Sequence, residues 1–307
     1  MRGTLIIGSI EPMNILILGG TGRVGSHLLA ELADSEEQGH ARVFAASRRG
    51  RTGAGRDERL PTWVDARHLD LEDLSTYAPA LEGIDRLFLV TGYTVAMLEQ
   101  SKNLIDAAKA AGISHVVHVG TFHPPGGPSS RLVRHFVWHQ LVETYIEASG
   151  LSFTHLNPNA FMQNFVGAMT AGALRMFFAG QRVGLVDCRD VARVAARALL
   201  DPTRHAGRRY FLSAEALTMD EAAVVLSEEL RRPVHYQPLS PQDVSQLPIA
   251  GLMERTYFEC IVNIAERMQR GELPDFAWTT RDIEEVTGGP ATSFRAFVRR
   301  EKEAFVE

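Results

Sequence analysis

Residues 20–25 read Gly-Thr-Gly-Arg-Val-Gly, a G-x-G-x-x-G spacing whose chemistry is phosphate binding. Glycines so placed bend the chain tightly, let backbone approach a pyrophosphate, and let the following helix pack close to the preceding strand. The helix N-terminus offers unpaired N–H groups and the positive end of its dipole to the phosphates. Gly19, Gly20, Thr21, Gly22, Arg23, Val24 and Gly25 are therefore the expected pyrophosphate contacts. An NAD-binding chain places Asp or Glu about 20 residues further on to hold the ribose 2′-hydroxyl. Here that point reads Ser47-Arg48-Arg49, with no acid. A hydroxyl and two planar, permanently charged guanidiniums suit a 2′-phosphate, which predicts NADP(H) as cofactor. A solvated basic loop is the plain alternative, because Arg51 and Arg56 follow.

Such a site needs a strand, a turn and a helix. Ile15 to Leu18 is a short apolar run that reads as a buried parallel strand, and Val24, Leu28, Leu29 and Leu32 share a helical face. Further strands are expected at Arg42 to Ala46, Trp63 to Asp65, Asp85 to Val90, His115 to Val119 and Leu151 to Leu156. Helices are expected at Asp73 to Leu81, Val95 to Ala111 and Leu132 to Ser149, the last two stopped by Gly112 and Gly150. This alternation predicts an α/β fold, a doubly wound parallel sheet of the Rossmann type. Ligands of such sheets lie outside the carboxyl ends of the strands. Thr91-Gly92-Tyr93, Gly120-Thr121-Phe122-His123 and Asn157-Pro158-Asn159 are thus expected to face the cleft.

After Asn159 the pattern loosens into a stretch rich in Phe and Met. Val183 to Val186 is expected to rejoin the sheet, Asp190 to cap a helix from Val191 to Leu200, and Tyr210 to Leu212 to form a strand. From Thr218 the chain reads as mainly helical. The predicted division is a nucleotide-binding domain at 13–158 plus 183–212 and a smaller, mainly helical substrate domain at 159–182 plus 213–307. Residues 1–12 precede the first strand as an N-terminal extension.

Composition narrows the class. The chain has 307 residues, 22% charged and 45% hydrophobic, ordinary for a globular protein with a large core. A net charge of −5 gives no reason to expect nucleic-acid binding. Two cysteines, Cys188 and Cys260, are too few for a disulfide framework or a cysteine metal site, and no metal is expected. No apolar run approaches the roughly 18 residues of a membrane span. These properties fit a cytosolic (cytoplasmic) enzyme with a small-molecule substrate; a homodimer is the assembly left open.

The chain resembles the NmrA-like branch of the atypical short-chain dehydrogenase/reductases, near their ergot-alkaloid-reductase-like members. The resemblance rests on Gly-Gly-Thr-Gly-Arg-Val-Gly at 19–25, Ala-Ser-Arg at 46–48 and His-Leu-Asp-Leu-Glu-Asp at 68–73. It continues through Leu-Asn-Pro-Asn-Ala-Phe-Met-Gln-Asn-Phe at 156–165, Asp-Val-Ala-Arg-Val-Ala at 190–195 and Val-Thr-Gly-Gly-Pro-Ala-Thr-Ser-Phe-Arg-Ala-Phe at 286–297. It implies that Asp70 and Leu71 border the adenine and that Arg48 meets the 2′-phosphate. It implies also that Thr91 and Gly92 line the cofactor path, and that Asn157, Pro158, Asn159 and Phe161 lie near the nicotinamide.

One departure from the short-chain dehydrogenases bears on mechanism. Their Tyr-x-x-x-Lys, which supplies the proton and holds the ribose, is missing from the helix that should carry it. With Glu143 as anchor, His139 stands for the lysine and His135 for the tyrosine, while Thr121 sits near the usual serine position. Three readings follow. The first is a reductase of iminium, cationic or conjugated acceptors, which need no strong proton donor. Tyr93, Phe122, Trp138, Phe161, Met162, Phe165 and Met169 are the expected walls of its pocket, with core packing the plain alternative for each. The second moves acid catalysis to His123, His135 or His139, since imidazole titrates near neutrality. The third is a non-catalytic NADP-binding redox sensor, as the name-giving members of the family are.

Overall fold

The computed structural model describes residues 12–37, 39–48, 59–247, 250–251 and 253–305. The N-terminal extension up to Glu11, Arg49 and the arginines at 51 and 56 lie outside the described residues.

Strand β1 (Met13–Ile17) turns into helix α1 (Arg23–Glu37), followed by β2 (Ala41–Ser47), β3 (Asp65–His68), α2 (Tyr77–Leu81), β4 (Arg86–Val90) and α3 (Met97–Ala110). Next come β5 (His115–Val119), the short α4 (Ser129–Leu132), α5 (Arg134–Ser149) and β6 (Ser152–Pro158). The crossing segment holds β7 (Ala160–Phe161), β8 (Met169–Thr170), β9 (Ala173–Met176) and β10 (Val183–Val186), then α6 (Cys188–Leu200), α7 (Pro202–His205) and β11 (Arg208–Leu212). The remainder is β12 (Glu215–Leu217), α8 (Met219–Leu230), β13 (His235–Pro238), α9 (Pro241–Ser245), α10 (Arg255–Gln269), α11 (Asp282–Thr287) and α12 (Phe294–Arg300).

Seven parallel strands form the main sheet in the order β11-β6-β5-β4-β1-β2-β3. The order reverses between β1 and β4, and that switch point is where doubly wound sheets bind ligands. Both faces of β1 are covered, which explains its unbroken apolar run. Ile15 and Ile17 pack under α1 and α6, while Leu16 and Leu18 pack under α2, α3 and α5. A third core unites Met162, Phe165, Val183, Leu185, Met219, Met268 and Phe294 in the second lobe. No helix among the described residues is long and apolar enough to cross a membrane.

Four expectations are corrected. The third strand is Asp65–His68, displaced toward the C-terminus from Trp63 to Asp65, because its register partners are Phe44 to Ser47. Val183 to Val186 does not rejoin the main sheet. It pairs with β7 and β12 in a separate sheet, sending Val186 into the first core and Val183 and Leu185 into the third. The cap of α6 is Asp187, whose carboxylate accepts from the Arg189 N–H at 3.1 Å. Asp190 is one turn inside the helix and instead accepts from Arg193 and from the Thr292 N–H, at 2.9 and 2.7 Å. Finally, the C-terminal part is not one unit. Ile283 and Val286 of α11 belong to the first core, and two three-stranded sheets accompany the helices of the second lobe.

Candidate functional site

The turn after β1 is a phosphate cradle. Gly19 adopts φ +68°, a left-handed conformation that glycine takes without strain. Its carbonyl accepts from the Gly22 N–H at 2.8 Å, and the Gly22 carbonyl accepts from Ser26 at 2.9 Å. The N–H groups of Arg23, Val24 and Gly25, in the first turn of α1, therefore have no helical acceptor. A Cβ at Gly25 would lie 2.1 Å from the Gly19 carbonyl oxygen, so α1 presses directly on the turn. The Arg23 side chain leaves the turn to donate to Asn164 Oδ1 at 2.5 Å. Thr21 and Gly22 are exposed, while Gly20 and Val24 are buried against the core. This cradle fits a pyrophosphate.

At the end of β2, Ser47 is half-buried and Arg48 exposed. The Ser47 carbonyl accepts from the Leu69 N–H at 3.1 Å, which brings Asp70 and Leu71 beside it. That strip is held from below. The Asp70 N–H donates to Thr76 Oγ1 at 3.0 Å, and the Leu71 carbonyl accepts from the Tyr77 hydroxyl at 2.9 Å.

Past β4 the chain runs Thr91-Gly92-Tyr93, with Gly92 and Tyr93 exposed. Glu254, just ahead of α10, clasps this segment. Its N–H donates to the Tyr93 carbonyl at 3.1 Å, and its carboxylate accepts from Thr94 Oγ1 at 2.5 Å and the Val95 N–H at 2.7 Å.

The ends of β5 and β6 form the polar half of the site. Thr121 Oγ1, Asn157 Oδ1, His135 Nδ1 and His139 Nδ1 are sealed from solvent and have no hydrogen-bond partner among the described residues. Buried polar atoms are rarely left unpaired, and both ring nitrogens of His118 on β5 are in the same state. Behind them, Glu143 is almost fully buried and gathers donors. Its carboxylate accepts from Asn157 Nδ2 at 2.6 Å, from His123 Nε2 at 2.9 Å and from Arg209. Asn157 Nδ2 also donates to the Thr121 carbonyl at 2.8 Å. Burial alone would raise the Glu143 pKa, but the His123 hydrogen bond and the nearby His123, His118 and Arg209 charges hold it below the usual carboxylate range.

The histidines do not behave as the acid reading expects. Burial, with a smaller push from His139, lowers His135 to about 3. Burial lowers His139 to about 4 against the opposing pull of Glu143. Both are neutral imidazoles near neutrality, so neither offers an imidazolium proton there. His123 is engaged by the Glu143 carboxylate at 2.9 Å.

Several expected wall residues are core. Met162 and Phe165 are fully buried, the Phe165 ring packing tilted against Phe294 with centroids 4.6 Å apart. Phe122 is buried against Phe211. Asn159 is spent internally, donating to the Phe276 carbonyl at 3.0 Å and to Ser213 Oγ at 3.2 Å, and Pro158 is buried in β6. Phe161 and Met169 are half-buried. Tyr93 and Trp138 do meet at the cleft edge, both against Tyr257 of α10, with centroids 5.6 and 6.0 Å away. Tyr257 and Glu254 carry no motif and lie far along the chain, so no sequence signal marked them.

Residues 12–291 match the sequence profile of the NmrA-like family. A (4-alkanoyl-5-oxo-2,5-dihydrofuran-3-yl)methyl phosphate reductase of Streptomyces griseus is 30% identical over 299 residues, covering 95% of this chain and 99% of that protein. An NAD(P)H azoreductase of Xenophilus azovorans is 30% identical over 300 residues, with the same coverage, 95% and 99%. Among solved structures, an NADPH-dependent quinone oxidoreductase of Escherichia coli in complex with NADPH superposes with a TM-score of 0.76 at 21% identity, over 93% of this chain and 99% of that one. With its glycine cradle, its sheet order and a profile match across nearly its whole length, the chain belongs to the NmrA-like family.

Proposed function

We propose that the chain is an NADP(H)-dependent oxidoreductase that transfers hydride to a small organic acceptor. The observation that carries this reading is the glycine cradle at the switch point of the sheet, where the left-handed Gly19 turn and the close Gly25 contact leave the first-turn N–H groups of α1 open to a pyrophosphate. A phosphate cradle alone binds a nucleotide. The hydride-transfer part is supported by the reductases of Streptomyces griseus and Xenophilus azovorans, each 30% identical over nearly the whole chain. When bound, NADPH supplies the hydride; the chain supplies binding and orientation. The first turn of α1 would hold the pyrophosphate, Ser47 and Arg48 the 2′-phosphate, and Thr121 and His139 the nicotinamide ribose.

The acceptor class follows from what α5 lacks. Hydride attack on a simple ketone builds a localised, strongly basic alkoxide that needs a proton, and not only a hydrogen bond, from a group close by. Two neutral histidines are poor proton sources. An iminium or cationic dye is neutralised by hydride, and a quinone-like or conjugated acceptor spreads its charge, so these fit. The same neutral pair favours, as a second reading, a redox sensor that binds NADP(H) without turnover.

The test is NADPH oxidation against a quinone, a cyclic iminium, a triphenylmethane dye, an enone and an aldehyde, with binding followed by calorimetry. Turnover of the cationic or conjugated members but not the aldehyde supports the reductase. Tight binding with no turnover across the panel supports the sensor.

A further inference from the structure

We propose that Tyr257, carried by α10 of the second lobe, hydrogen-bonds the acceptor oxygen as it becomes negative, the role for which α5 has no tyrosine. The inference rests on the reductase reading above. Tyr257 is only 5% exposed. Its ring lies 5.2 Å from that of His135, the residue standing at the missing tyrosine's position, and contacts Tyr93 at the carboxyl end of β4. It therefore sits at the ligand edge of the sheet, between β4 and α5. Its hydroxyl forms no hydrogen bond to any described residue, yet it is not among the sealed partnerless atoms of the interior. A buried tyrosine ordinarily finds a partner for its O–H, and here that donor is unspent.

The surroundings hold it in place. His135, Trp138 and Tyr93 pack three sides of the ring, and the Glu254 clasp ties the start of α10 to the segment carrying Tyr93. A donor fixed in place before reaction is the arrangement that stabilises developing charge most. Tyr93 is 54% exposed and lacks that packing. Burial, with the neighbouring Tyr93 and Cys260, raises the Tyr257 pKa, so the phenol stays protonated. The step on a conjugated carbonyl then balances. A C–H bond forms at the acceptor with the transferred hydride, the displaced π pair moves to oxygen, Tyr257 donates a hydrogen bond to that oxyanion, and water delivers the final proton. Tyr257 keeps its own proton throughout.

The test is Tyr257→Phe, which keeps the ring and its packing. Turnover with NADPH is compared on a neutral quinone (menadione) and a cationic triphenylmethane dye (malachite green). We expect kcat for the quinone to fall roughly 100-fold, the cost of one lost oxyanion donor, and at least about tenfold more than kcat for the dye, which builds no oxyanion. Equal losses on both acceptors overturn the proposal, because a packing defect does not distinguish them. A second arm needs no turnover: 4-nitrophenolate is titrated against the NADP⁺-loaded protein. Binding at least about tenfold tighter to the unmodified protein than to Tyr257→Phe, the scale of one hydrogen bond to a charged group, supports the proposal. Equal binding, or none to either, overturns it. Failure of every acceptor would sink the reductase reading while this arm still decides the role of Tyr257.

Discussion

Asn157 at the end of β6 donates from Nδ2 to Glu143 of α5 at 2.6 Å, and the same amide reaches the Thr121 carbonyl at 2.8 Å. One buried carboxylate thus sets the spacing of β5, β6 and α5 where their ends meet the ligand. Gly120 belongs to the same contact, since a Cβ there would lie 2.5 Å from Glu143 Oε1. Replacing Glu143 with Ala leaves His123, Asn157 and Arg209 without their shared acceptor. Breaking a buried charge pair costs about 3–5 kcal/mol, and Arg209 is 29% exposed with Glu147 as a second partner, so the expected loss is roughly 2–3 kcal/mol. Urea unfolding measures it; a loss under about 0.5 kcal/mol, typical of a surface change, would contradict the role.

Arg48 is exposed at the end of β2, beside Ser47, with no acid in the strand's last turn. Arg48→Ala should weaken NADPH binding about 10–100-fold, the worth of a charge-assisted contact, and barely alter NADH binding. Calorimetry with both cofactors reads the ratio. Equal losses would remove the basis for preferring NADP.

Gly25 has no room for a side chain, its Cβ falling 2.1 Å from the Gly19 carbonyl oxygen. Gly25→Ala must push α1 away from the turn, and backbone cannot yield as a flexible side chain would. Binding of NADPH and NADH should both be lost. Retention of either cofactor at unmodified affinity would refute the close-packed cradle.

Burial holds four histidines neutral: His115, His139 and His155 fall to about 4, and His135 to about 3. In the unfolded chain each protonates near 6.5. Between 6.5 and 4 the unfolded state therefore binds more protons, and stability drops as pH falls, by up to about 1.4 kcal/mol per pH unit for each histidine. Thermal unfolding should show a steep loss of Tm from pH 6.5 to 4.5 and little change from 7 to 8. A flat profile across the acid range would show that these imidazoles are not buried neutral.

Much of this was legible because local pattern and tertiary role coincide. The glycine turn, β1 and α1 follow from spacing alone, and five of the remaining sheet strands announce themselves as apolar runs after turn residues. What the pattern hid is where one signal has two meanings. Val183 to Val186 is apolar enough for any buried strand, and only pairing decides that it joins β7 and β12. Asp187 and Asp190 are both plausible caps, and the choice turns on Thr292, about a hundred residues away in sequence. Met162 and Phe165 are as apolar as a pocket wall, but the second lobe closes over them. Tyr257 and Glu254 come to the cleft only because α10 folds back across α5, which no periodicity encodes.

The most direct measurement of the central claim is hydride tracing. The protein would be turned over with NADPH deuterated at the transferring C4 position and a cationic or quinone acceptor, and the reduced product examined by mass spectrometry or NMR. The account predicts that the label leaves NADPH on one face only, appearing in the product wherever the accepting atom is carbon. Tight NADPH binding with the label retained against every acceptor would contradict it and leave a sensor.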